Sequence, residues 1–153
     1  ELRTIDNWGI SSFGSDALIM QKTSDDNQSV LFIEMTRPFC ICADPMITTP
    51  TLATNFNIGD KIEAVMTIDR LQPKKMFFYV ESIFESGVYL LAPRQFPSFR
   101  DAEKIKVSFP SNISLEDMFF DTRGISNAMK QSERVCISSF EIEKPEMHET
   151  NYI

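Results

Sequence analysis

The chain has 153 residues, enough for one domain that buries about two thirds of its unfolded surface, and its 42 % hydrophobic share argues against bulk disorder. A net charge of −7 and a pI near 4.7 disfavour general nucleic-acid binding and suit a cationic partner such as an Arg-rich peptide. No apolar run approaches the roughly eighteen residues that span a bilayer and no signal-peptide pattern is present, so no membrane partner is expected.

Glu1 to Ser15 reads as an irregular lead-in, with Trp8, Gly9, Phe13 and Gly14 among polar residues and room for one short strand. Asp16–Lys22 (DALIMQK) and Val30–Met35 (VLFIEM) flank the polar SDDNQS. That pattern predicts a hairpin with Asp25, Asp26 and Asn27 at its tip. Phe39 to Ala43, between Pro38 and Pro45, is expected as an edge strand or bulge. Asp44 to Phe56 (DPMITTPTLATNF) carries two prolines and four threonines without a period. It reads as a linker that closes an N-terminal β-layer, residues 1–43, and marks a possible subdivision of the domain.

The stretch from Asn57 to Leu91 organises the chain. A Gly59-Asp60 turn leads into Ile62, Ala64, Met66 and Ile68, which alternate with Lys61, Glu63, Thr67 and Asp69. Period two over eight residues marks a strand with one face buried and one wet. Pro73 breaks the run because it cannot donate to a ladder. Met76–Phe84, rich in aromatic and β-branched types, is the second strand, and Val88–Leu91 returns after the Glu85-Ser86-Gly87 loop as the third. With the aromatic loop APRQFPSFR, residues 57–100 form the expected barrel core.

Beyond it, Ile105, Val107 and Phe109 alternate on one face of a strand that Pro110 ends. Ser114-Leu115-Glu116-Asp117 has the form of a capping box, which predicts a short helix over MFFDT ending near Gly124. Ser126–Arg134 is expected to add a helical turn or two and Val135–Ile142 a last strand, so residues 101–143 make a flanking strand and helix layer. Residues 144–153 read as an acidic tail. The fold class is therefore mainly β: a small, strongly bent antiparallel barrel with flanking strands, with an oligonucleotide-binding (OB-like) barrel as the alternative.

Chemistry is sparse. The one histidine, His148, lies in the tail beside Glu146 and Glu149. Cys40, Cys42 and Cys136 are an odd set, with Cys40 and Cys42 on one face of a strand and too close to bridge each other. They read as small core hydrophobes in a reducing cytoplasmic or nuclear setting. Paired ligand spacing for a metal, a phosphate-cradling loop and a carboxylate dyad are all missing, so no metal, cofactor or catalytic residue is expected and the protein is not read as an enzyme. The aromatic concentration differs in kind. Phe77, Phe78, Tyr79, Phe84, Tyr89, Phe96 and Phe99 fall in two adjacent strands and the loop after them. Alternation sends Phe77 and Tyr79 to one face and Phe78 to the other. Rings left near a barrel mouth hold a cation through their quadrupoles, and this nominates Tyr79, Tyr89, Phe78, Phe96 and Phe99.

Gly59, Ala64, Asp69, the Phe78-Tyr79 pair, Glu81-Ser82-Ile83 and Val88–Leu91 together resemble the core of a Tudor domain. The resemblance covers roughly a fifth of the chain. It implies a non-enzymatic interaction module that binds an Arg-containing peptide, methylated or unmodified, in a protein of the RNA-silencing type. Tyr79 and Tyr89 stand at cage positions, and Met66 stands where that family often has an aromatic. The family's Asp-Tyr-Gly-Asn signature falls on Leu91-Ala92-Pro93-Arg94, so Ala92 replaces a cage ring and Arg94 an amide. The readings from other classes are a single-strand-binding OB-like barrel, whose aromatics stack on bases, and a scaffolding domain without a small ligand.

Overall fold

Period-two burial sets the architecture. The computed structural model describes residues 3–51, 55–95 and 99–152. Its strands are β1 (Arg3–Ile5), β2 (Trp8–Phe13), β3 (Ala17–Thr23), β4 (Val30–Thr36), β5 (Ile41–Cys42) and β6 (Met46–Pro50). They continue with β7 (Lys61–Ile68), β8 (Lys74–Phe84), β9 (Gly87–Leu91), β10 (Lys104–Ser108) and β11 (Met118–Asp121), and a helix, α1 (Ile125–Tyr152), follows. All eleven strands belong to one antiparallel sheet in the order β1-β2-β3-β4-β6-β9-β8-β7-β10-β11, with β5 paired to β4. The mainly-β class is as expected, and β7, β8 and β9 form the meander read from Asn57–Leu91.

Four expectations about the elements are corrected, and one about the cysteines. The sheet is open, since β1 and β11 end the strand order without pairing to each other, so the small barrel does not close. It is nonetheless curled: the Asp25 N–H just beyond β3 donates to the Phe119 carbonyl on β11 at 2.8 Å. Second, the expected linker holds β6, which pairs with β4 on one side and β9 on the other and joins the N-terminal layer to the meander. Thr49 turns inward there, where its hydroxyl is satisfied by Ser29 at 2.8 Å, so a Thr-rich run is tolerated in the sheet.

Third, MFFDT is strand, not helix. Met118 and Phe120 are buried while Phe119 is exposed, and the run pairs with β10. The Ser114 hydroxyl is engaged elsewhere, accepting from the Asn55 side-chain amide at 3.5 Å. Fourth, Val135–Ile142 lies within α1. Ile125, Ala128, Met129, Ser132 and Cys136 are buried at helical spacing, and this stripe packs on β1, β2 and β3. Tertiary burial overrides the strand preference of Val135 and Ile137. No helix among the described residues is long and apolar enough to cross a membrane.

The inner face of the sheet supplies one core that runs from Trp8 and Ile10 on β2 to Met118 and Phe120 on β11. Burial of a ring such as Phe78 contributes about 1.5–3 kcal/mol. A disulfide joins Cys40 to Cys136 with Cα atoms 6.0 Å apart and ties the β4–β5 corner to α1. The cysteines are thus not three unbridged hydrophobes, and Cys42 alone is free. Disulfides belong to oxidising surroundings, so the cysteines no longer argue for a reducing one.

Candidate functional site

The outer face of β3, β4, β6, β9 and β8 is where polar and aromatic chemistry gathers. Ladder registers align Phe32 with Met46, Met46 with Leu91, and Leu91 with Tyr79, forming a row that crosses the strands. Phe32 and Glu34 are two apart on β4 and therefore share this face, as do Tyr89 and Leu91 on β9. On β8 the alternation changes phase. Val80 pairs with Leu90 and Ser82 with Tyr89, leaving Glu81 as the extra residue of a bulge. Before the bulge Met76, Phe78 and Val80 point inward. After it Ile83 packs on the core, and Ser82 and Phe84 face out.

This geometry produces a groove of 530 Å³ whose floor is Ile19, Met46 and Leu91, with Phe32 and Tyr89 rising from it. Phe32 and Tyr89 have centroids 6.3 Å apart with planes at 40°, and Phe84 lies 5.4 Å from Tyr89 at 55°. Three carboxylates line the same groove: Glu34, Asp44 and Glu81. One oxygen of Asp44 accepts the Arg94 backbone N–H at 3.0 Å, which fixes the loop after β5 against the end of β9. Among the described residues the one ion pair is Arg123–Asp121, so no Lys or Arg lies within ion-pair distance of these three carboxylates. The site has ring faces, an apolar floor and negative charge, with no ion-paired cation among the described residues.

A second groove of 440 Å³, over β7, β8 and the end of β10, is built differently. Phe77 and Tyr79 meet edge to face at 5.2 Å, and the Lys61 ammonium sits 4.1 Å from the Phe77 ring centre. That ring already has its cation, and Lys75 adds a second positive charge at the rim. A third cleft, around Asp69, Glu103, Lys104 and Arg123, mixes both signs. Asp69 is committed there, accepting the backbone N–H groups of Glu103 and Lys104 at 2.9 and 2.8 Å.

The residues nominated from sequence fall into three groups. Tyr89 lies in the first groove, and Tyr79 is 38 % exposed on the same face but pairs with Phe77. Phe78, Phe99 and Met66 are corrected: at 0, 0 and 1 % exposure they are core, because strand parity and chain curl turn them inward. Phe96 lies outside the described residues. Ala92, at a position where the Tudor resemblance would put a ring, is also fully buried. Sequence reasoning missed Phe32, Glu34 and Asp44 as site residues. The alternation of VLFIEM already places Phe32 and Glu34 opposite Leu31 and Ile33, whereas Asp44 carries no local signal. No family model, curated protein or solved structure matches the chain.

Proposed function

We propose that this protein is a non-enzymatic interaction module that binds an arginine-bearing segment of a partner protein across the outer face of its sheet. One observation carries the reading: Phe32, Phe84 and Tyr89 share a face with Glu34, Asp44 and Glu81, and none of these carboxylates has an ion-pair partner among the described residues. A guanidinium laid on Tyr89 is attracted by the ring quadrupole and by the carboxylates, and the apolar stem of the side chain lies on Met46 and Leu91. The charge of −7 draws such a partner in from a distance, with an ionic-strength dependence. The Tudor resemblance supports the same class of ligand, although the rings that serve here include Phe32 and Phe84. Single-stranded nucleic acid is disfavoured, because its phosphates would meet the three carboxylates.

The test is fluorescence polarisation with a labelled Gly-Arg-Gly-Arg-Gly-Arg-Gly peptide. Tyr89→Ala should weaken binding roughly 5- to 30-fold, the range of a partly desolvated cation–π contact, with the melting curve retained. Tyr79→Ala should leave affinity unchanged. Equal binding by wild type and Tyr89→Ala, or tight and steeply salt-dependent binding of a labelled oligothymidylate, removes the reading.

A further inference from the structure

The ring geometry and the carboxylates together select among arginine's chemical forms, an inference that rests on the cation-binding reading above. A flat head sandwiched between two ring faces needs the faces about 7 Å apart and near parallel, twice an ordinary carbon contact distance. Tyr89 instead has centroids of Phe84 and Phe32 at 5.4 and 6.3 Å with planes tilted by 55° and 40°. The rings touch one another and leave no slot between them. They present a one-sided apolar shelf, and Glu34, Asp44 and Glu81 line the same groove as Phe32 and Tyr89.

Those carboxylates are hydrogen-bond acceptors without a cationic partner among the described residues. An unmodified guanidinium brings five N–H donors in a rigid fork that meets a carboxylate in two parallel bonds. Methylation keeps the charge but removes donors and puts methyl groups where the fork would dock. The sheet already holds a plain cation on a ring face: the Lys61 ammonium sits 4.1 Å from the Phe77 ring centre.

We infer that the groove lined by Phe32, Tyr89, Glu34, Asp44 and Glu81, with Phe84 packed beside Tyr89, recognises unmodified arginine and discriminates against its methylated forms. In this molecule arginine methylation of the partner is an off-signal. Glu34 and Glu81 are the specificity-determining residues, whereas Tyr89 contributes to any cation.

Three labelled peptides of equal length separate the possibilities: Gly-Arg-Gly-Arg-Gly-Arg-Gly, the same peptide with each arginine asymmetrically dimethylated, and the version with lysine at each arginine. They are titrated against wild type, the Glu34→Gln/Glu81→Gln double variant and Tyr89→Ala, with melting curves confirming the fold of each. Expected are roughly tenfold weaker binding of the dimethylated peptide by wild type and loss of that preference in the double variant. Tyr89→Ala should weaken all three peptides together. Equal or tighter binding of the dimethylated or the lysine peptide by wild type overturns the inference while the cation-binding reading stands. No binding of any peptide, or binding indifferent to Tyr89→Ala, overturns that reading itself.

Discussion

Cys42 lies half-buried at the β4–β5 corner, and burial, reinforced by the nearby Glu133 charge, pushes its thiol up to about 11 against the opposing pull of Arg100. Because the thiolate is the nucleophile, alkylation by iodoacetamide at pH 7.5 should run roughly a hundredfold slower than for a thiol at the ordinary value of 9.0. A rate matching that of unfolded protein would contradict this. The folded state holds this proton to higher pH than the unfolded one. The associated stability is therefore complete below the ordinary value of 9.0 and is lost as pH climbs through about 11. At this scale alternation put Phe78 on the face opposite Phe77 and Tyr79, but it did not mark which face is core, and Phe78, nominated as a ring for a cation, is the inward one. The sequence failed where the deciding contact is distant. Phe99 is drawn into the core by chain curl, and Cys136 meets Cys40 across 96 residues, which no local pattern announces.

Among the elements, β9 is the most constrained. It begins at Gly87, opposite Pro50 of β6, and a Cβ added there would run into the Thr49 carbonyl oxygen and lie 3.0 Å from the Phe84 ring. Backbone cannot yield as a flexible side chain would, so Gly87→Ala should cost about 1–3 kcal/mol in urea unfolding. Loss of under half a kcal/mol would show that the β6–β9 seam has slack. Strands with a two-residue period (β4, β7 and β10) were readable from the chain, and so was β8 up to its bulge at Glu81. β6 was hidden because Pro45, Pro50 and its threonines carry turn chemistry, and only pairing on both sides makes it a strand. β11 was hidden by a capping motif whose serine hydroxyl is taken by the Asn55 side chain.

At the scale of the whole molecule, two devices hold α1 to the sheet: its buried stripe and the Cys40–Cys136 bond. Closing a loop this long restricts the unfolded chain, and opening the bond should cost about 2–5 kcal/mol. A reductant should therefore lower the melting temperature measurably. Arginine-peptide affinity should persist below that melting temperature, because the groove is built from β3 to β9 without α1. Unchanged melting with and without reductant would show that the stripe alone suffices. Composition conveyed the acidity of the molecule but not where the charge is concentrated, since Glu34, Asp44 and Glu81 meet only after the sheet has curled. Among the described residues, β6 is the strand whose ladder pairing joins the first five strands to the last five, with the Asp25–Phe119 hydrogen bond as a single further tie. Phe32 and Glu34 stand on one side of that link, and Glu81 and Tyr89 on the other. Neither fragment cut at this join would carry the groove, so occupancy becomes a reporter of reassembly, and a bound guest acts as a clasp that resists separation of the two pieces.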